Sequence, residues 1–527
     1  MRLLRSLRLR LFLVVWAACA LHFATNITRE HYPAFALAAH GNLRCDDWVA
    51  GRPDPSEPDG VRQEPLHPDL FRHRDGHWYA NNNVGAALVA APALFLFEPL
   101  LGRLDEIGRR EAASGRARAP FESAYPLRLR FMEEVRRRGL HLRLGASAAI
   151  TSVLVMAPLA GLLALLVHGA LTARGVEPGR AGALTLLFAF ATPLLFRSAV
   201  LNHNQMQAVA AFASFTLLRP GRGAPASAPR RLLGAGALAG ATVLLDWSGA
   251  VLLAGLALLL LADARAAAGP RGAVRAALPF AAGAAVPLAL LALTQWWQFG
   301  NALLPAQRWM PDAHFSVRGW HGFDWPRVDL LASNLFDPSF GLFAFAPLLL
   351  LAFVSRPGGR ERPAGPAEAP LLAGRERRFV LALFAAFLLF SAANQFTRLQ
   401  WNTGFRGLAP LVPFLFLASG DLLARAGRRT LVLVAAPLAL HSWVLAMARA
   451  TPPVEPVAFA DSTIARSWTA ILESGPALPW LTVWRQTQPG GGPAWAAAAA
   501  PLLIGATAAL LALAWRSGAR AAAGAGA

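Results

Sequence analysis

The chain has 527 residues, 55% hydrophobic and 15% charged, with a mean hydropathy of +0.41, outside the range of soluble domains. Its net charge of +20 rests on fifty basic residues, all arginine, scattered through short loops rather than gathered on one face. That distribution argues against nucleic acid as a partner and matches the arginine bias of cytoplasmic loops in membrane proteins. With no lysine in the chain, any phosphate must be held by arginine, histidine or backbone donors.

The chain opens with a basic stretch, 1–10, and an apolar one, 11–24, which reads as an uncleaved first helix with its N-terminus in the cytoplasm. Cys19 lies in that segment and Cys45 in the loop after it, a placement that argues against a disulfide framework or a metal site. A polar stretch, 26–83, leads to an apolar segment, 84–101, and then to a loop, 102–143, with eleven arginines and six acids. Apolar segments follow near 145–170, 181–197, 204–218, 232–245, 249–262, 276–294, 341–354, 379–393, 408–423, 430–448 and 497–515. Lipid demands such runs, because backbone polar groups must be satisfied within each segment. The expected fold is all-α: a polytopic bundle of about twelve spans plus a juxtamembrane or re-entrant helix.

Loops 171–180, 219–231, 263–275, 355–378 and 424–429 hold eighteen arginines, against eight in the longer alternating set 198–203, 246–248, 295–330, 394–407 and 449–496. The first set is therefore placed in the cytoplasm, with both termini. The count requires either that 84–101 does not cross or that 181–218 is one discontinuous crossing, and charge alone leaves both open. The divisions are a first helix, 1–25; a first extracytoplasmic region, 26–143; a transmembrane core, 144–425; and C-terminal helices with an outer loop at 449–496, spanning 426–527.

The outer stretches hold the residues suited to chemistry. Glu30, between Arg29 and His31, sits at the start of a short helix at the bilayer surface; it suits a general base towards an acceptor hydroxyl, or is an ordinary interfacial charge. Asp47 and Asp69 are its rivals. His77 and Tyr79, with Trp78 and three asparagines, suit a sugar site or an aromatic belt. Asn202 and His203 lie at a helix junction in an apolar region, and Asp246 between two apolar runs; each reads equally as functional or as a helix-linking or capping group. Trp401, Arg398 and Arg406 fall in the outer loop 394–407, where an arginine fork suits a lipid phosphate.

The order of these features resembles the GT-C superfamily of integral-membrane glycosyltransferases, in the branch similar to protein O-mannosyltransferases and lipid-A sugar transferases. Gly76-His-Trp-Tyr-Ala-Asn-Asn-Asn-Val-Gly85 is similar to that family's G-H-Y-Y-S-x-K-x-P-G stretch, and Ala191–His203 to its P-x-x-T-L-x-x-G-H turn. Leu245-Asp-Trp247, Gln298-Phe-Gly-Asn301, Leu335–Phe343 and Trp401–Pro413 resemble further motifs in order, so that the likeness covers about residues 11–425. The chain departs in having a single carboxylate at Glu30, Asn82 and Val84 in place of lysine and proline, and aspartate at Asp246.

The resemblance implies that 84–101 belongs to the outer region without crossing. It also implies an inverting transfer of a sugar from a polyprenyl-phosphate donor to a periplasmic lipid, glycan or protein. In that scheme Glu30 is the juxtamembrane acid, with Asp47 and Asp69 as catalytic alternatives. His77, Tyr79, Asn202, His203, Asp246, Trp401 and Arg406 fall to donor or acceptor binding. The implied partners are the lipid-linked sugar and membrane lipids, the implied location the bacterial inner membrane; no cofactor is required, and room is left for a divalent cation. The competing expectation is a polymerase, ligase or exporter of lipid-linked glycans.

Overall fold

The computed structural model describes residues 6–57, 60–115, 126–220, 228–311, 317–354, 371–399, 406–449, 451, 462–486, 488, 492–493 and 495–523. It is mostly helical. In chain order the helices are α1 (Leu7–Leu21), α2 (His31–His40), α3 (Gly85–Leu96), α4 (Glu98–Ala113), α5 (Pro126–Arg137), α6 (His141–Thr151), α7 (Ala157–Thr172), α8 (Pro178–Phe190), α9 (Leu194–Arg197), α10 (His203–Leu218) and α11 (Pro229–Leu245). They continue as α12 (Gly249–Phe299), α13 (Val328–Phe336), α14 (Leu342–Phe345), α15 (Leu351–Val354), α16 (Gly374–Ala393), α17 (Val412–Arg425), α18 (Arg428–Met447), α19 (Thr463–Ser474), α20 (Pro479–Gln486) and α21 (Trp495–Ala523). Two antiparallel hairpins depart from the all-helical expectation. β1 (Val49–Pro53) pairs with β2 (Val61–Pro65), and β3 (Leu70–Arg72) with β4 (Trp78–Ala80).

Among the described residues four helical stretches are long and apolar enough to cross a membrane: His141–Thr172, Gly249–Phe299, Arg406–Arg425 and Arg428–Met447. The first joins α6 to α7 through a π turn at Ser152–Met156. The second is two arms, because Ala268 and Gly269 leave helical geometry, Gly269 at a φ of 66°. α3 and α4 form a pair bent by 76°, so the apolar run 84–101 is a broken helix rather than a straight span. Phe95 and Leu96 at the bend are strongly exposed, as lipid-facing or interfacial side chains are.

Contacts along the bundle fix which helix ends lie together. A Cβ on Gly161 of α7 would collide with Phe12 of α1, and the Trp16 indole donates to the Val153 carbonyl at 2.8 Å, so α1 and α7 run antiparallel. The chain thus leaves the bundle after α1 and re-enters through α6 at the same end, with α2, both hairpins and α3 to α5 in between. The Ala24 amide donates to the Ala199 carbonyl at 2.8 Å and the Thr28 hydroxyl to that of Leu201 at 3.0 Å. The segment joining α8 to α10 therefore also lies at this end.

At the opposite end Arg174 binds Glu376 at 3.1 Å, Arg375 binds Asp263 at 3.3 Å, and Arg219 pairs with both acids. These pairs tie α7, α10, α12 and α16 together. Small residues let α11 approach the second arm of α12: a Cβ on Gly236 would collide with the Phe280 carbonyl, and one on Gly240 would lie 2.6 Å from that of Ala284.

The apolar side chains form two main cores. One fills the bundle between α1, α7, α8, α10, α16 and α17. The other joins α2, α3, the hairpins and α6 through Tyr32, Phe35, Trp48, Ala87 and Leu94, and reaches Leu201, Met206 and Leu245. The polar groups of greatest interest lie where these cores meet.

Candidate functional site

Glu30 ends the turn Thr28–Glu30 and precedes α2. It is held there because His31 is locked on both ring nitrogens. The Thr28 amide donates to Nδ1 at 3.0 Å, and Nε2 meets the Thr151 hydroxyl at 3.0 Å, one residue before the π turn. Burial pushes the His31 ring down to about 4, so it is the neutral form that links α2 to α6.

On the opposite side α10 begins with Asn202 as its cap: the side-chain oxygen accepts the Gln205 amide at 3.0 Å, and the amide nitrogen donates to the Arg197 and Val200 carbonyls at 2.9 Å each. That cap places His203 in the first turn, with Nδ1 2.6 Å from Glu30 Oε1 and Nε2 3.6 Å from Asp246 Oδ2. Asp246 terminates α11, and its other oxygen accepts the Ser248 amide at 2.9 Å, closing the turn into α12.

Arg29 completes the group. Its Nε lies 3.7 Å from Glu30, and Nη1 lies 3.8 Å from Asp69 and 3.3 Å from the Asn81 side-chain oxygen. Asn81 in turn donates to Asp69 at 3.0 Å. Three carboxylates, a histidine and an arginine from four separated segments thus share one locus. Burial opposes the charge on Glu30, but the bond from His203, then Arg29 and Thr28, outweigh it and hold the carboxyl well below its usual range. Asp69 and Asp246 follow the same logic: burial raises them, while Arg29, His67 and Arg406 lower the first, and His203, Arg29 and Ser248 the second. Burial also disfavours the Arg29 cation, and Asp69, Glu30 and Asp246 more than restore it.

Further arginines border the acids. Arg406 is exposed at the start of the turn leading into α17 and interacts electrostatically with Asp69 and His67. Arg197 and Arg449 are buried, and Arg197 feels Arg449, Arg406 and Glu30. The polar floor therefore carries both signs: carboxylates around His203, guanidinium groups beside them. Such a pairing can accept a proton on one side and bind an anion on the other. Among the described residues no group of three or more histidine, cysteine or acidic side chains is arranged to hold a metal ion.

Of the residues singled out from sequence, Glu30, Asp69, His203 and Asp246 come together, with Arg406 within electrostatic range of the three acids. Asn202 supports them from the backbone side. Asp47 does not join: it is exposed and pairs with His40 at 2.8 Å. His77 binds Asp46 at 2.8 Å, and the Tyr79 hydroxyl donates to Asp75 at 3.0 Å, packing its ring against His73 and Phe299; both residues build the outer region away from the acids. Trp401 and the side chain of Arg398 lie outside the described residues. Sequence reading missed His67 and Arg197 near the acids, and Arg449 near Arg197 and Arg406. Arg197 stands in a quoted motif, but nothing local marks His67 or Arg449. No protein-family model, curated protein or solved structure matches the chain.

Proposed function

We propose that this is a membrane glycosyltransferase of the GT-C type, which moves a sugar from a polyprenyl-phosphate donor to an acceptor on the periplasmic face of a bacterial inner membrane. In this reading the helices alternate direction to make twelve crossings: α1, α7, α8 with α9, α10, α11, the two arms of α12, α13 to α15, α16, α17, α18 and α21. α3 and α4 stay at the outer surface. The end bearing Glu30 faces outward in this reading because the five short loops at the opposite end hold eighteen arginines, although 102–143, with eleven, lies at the Glu30 end.

The observation that carries the reading is the convergence of Glu30, His203, Asp246 and Asp69 with Arg29 from chain-distant segments. Ionisable groups at membrane depth are costly and mark function more often than architecture. The acids and His203 supply acid–base chemistry to the acceptor hydroxyl, and Arg406 with Arg197 and Arg449 supplies charge for the donor phosphate. The ion pairs at the opposite end support a bundle closed towards the cytoplasm, which favours a transferase over an exporter.

Binding of the lipid phosphate tests this directly. Undecaprenyl phosphate should raise the melting temperature of the purified protein, as any ligand of the folded state does. Undecaprenol and inorganic phosphate at the same concentration should raise it far less, and Arg406→Gln should remove most of the shift. Equal stabilisation by the neutral alcohol would contradict the proposal.

A further inference from the structure

Glu30 Oε1 and His203 Nδ1 are 2.6 Å apart, and both side chains are buried. A carboxylate has no hydrogen to give, so at this distance the ring carries its proton on Nδ1 and donates it. In the neutral ring Nε2 then bears the lone pair. It faces Asp246, whose side chain is 21% exposed, on the more open side of the ring. A carboxylate fixing Nδ1–H so that Nε2 takes the substrate proton is the arrangement by which nucleophilic hydroxyls are activated on many unrelated folds.

We propose that His203 Nε2 is the atom that takes the acceptor proton, and that Glu30 is a positioning residue that fixes the ring. The inference rests on the transferase reading and divides the labour within it. The acceptor hydroxyl donates to Nε2 from the open side of the ring, beside Asp246, whose Oδ2 lies 3.6 Å from Nε2. Its oxygen forms a bond to the anomeric carbon as the bond from that carbon to the phosphate oxygen breaks, the electron pair leaving on the phosphate. The hydroxyl proton moves to Nε2, giving an imidazolium between two carboxylates, and is then lost to water. The products are the glycosylated acceptor, polyprenyl phosphate and one proton. The charged and titratable groups around the ring are Glu30 and Asp246 directly, with Arg29 and His31 beside Glu30, Asp69 beyond Arg29, and Arg197, Arg406 and His67 within electrostatic range of Glu30. Glu30 held well below its usual range is a weak base, which agrees with a positioning role.

The test uses membrane vesicles containing the full chain and undecaprenyl phosphate linked to radiolabelled mannose, glucose or galactose, with loss of label from the donor lipid as readout. In His203→Asn the amide nitrogen replaces Nδ1 towards Glu30, but nothing replaces Nε2. Transfer should fall at least about a hundredfold, the usual scale of general-base catalysis. The acidic limb of the pH–rate profile should vanish from what remains, while stabilisation by undecaprenyl phosphate persists. A smaller loss, or an unchanged acidic limb, overturns the inference and leaves the transferase reading standing. No transfer by the wild type from any of the three donors overturns both. Should His203→Asn fail to fold, nitrogen-15 NMR of histidine-labelled wild type decides: a bare Nε2 with a deshielded proton on Nδ1, lost in Glu30→Gln, is expected, and a proton on Nε2 with Nδ1 bare overturns the inference.

Discussion

Glu30 and His203 are 173 residues apart in the chain and 2.6 Å apart in space, each delivered by a helix start. The contact joins the outer region to the bundle at a place where neither partner is solvated. A buried charged hydrogen bond contributes more than a surface one, and losing one partner leaves the other stranded. The pair is therefore both a structural joint and the centre of the proposed chemistry.

Asn202 separates these two roles. Its side chain makes three hydrogen bonds to backbone groups and none to the acids. Asn202→Ala should cost roughly 1–3 kcal/mol, the range for a lost cap and unsatisfied buried groups, seen as a lowered melting temperature. Asn202→Asp, which keeps the cap, should recover part of it. A melting temperature unchanged in the alanine variant would contradict the capping role.

His31 gives the fold a pH dependence of known sign. Its pKa is lowered from 6.5 to about 4 in the folded chain, so between those values the unfolded state binds more protons. Its stabilising share is full above pH 6.5 and falls as the pH drops towards 4, by roughly 3 kcal/mol. Glu30 acts in the same sense lower down, being stabilising above its usual value of 4.5 and less so as acid protonates it. Replacing His31 by Gln should flatten the fall in melting temperature between pH 6.5 and 4.5. An identical fall in wild type and variant would remove His31 from the account.

Asp47 tests the boundary of the site. It is exposed and its carboxylate pairs with an exposed histidine, a type of contact worth about 0–1 kcal/mol. Asp47→Asn should leave transfer and melting temperature close to wild type, whereas Asp69→Asn, which breaks the link to Arg29 and Asn81, should lower transfer about tenfold or more, the order of one lost charged hydrogen bond. A severe loss from Asp47→Asn would extend the site beyond the cluster.

Much of this was legible in the sequence, for identifiable reasons. Membrane-length apolar runs and arginine-bearing loops follow from the physics of lipid, so a helical membrane protein could be read from composition alone. Glu30 and Asp246 stood out because acids beside apolar runs are rare. The convergence was not legible, since it depends on the His31–Thr151 lock and on the Asn202 cap turning His203 towards α2. Nor were the hairpins, whose strands of three to five residues lie in a polar stretch with little period-two pattern. The break between α3 and α4 falls at Phe97, and the Glu98-Pro99 that opens α4 is a local signal lost when 84–101 is read as one apolar run.

The direction of the bundle can be read by labelling. With Cys19 and Cys45 replaced, a cysteine at Ser56 should react with a membrane-impermeant maleimide on spheroplasts, whose inner membrane is intact. One at Arg265, exposed at the opposite end, should react only after permeabilisation. The reverse pattern would place the acids in the cytosol, away from the proposed acceptors.

The most direct measurement is sugar transfer itself. Membrane vesicles bearing the wild-type chain should discharge at least one undecaprenyl-phosphate-linked monosaccharide and accumulate undecaprenyl phosphate. Vesicles with equal amounts of folded Glu30→Gln protein should show little, a loss approaching the roughly hundredfold or more expected of His203→Asn, since a misplaced base is nearly as costly as a missing one. Full activity in Glu30→Gln would contradict the account at its centre.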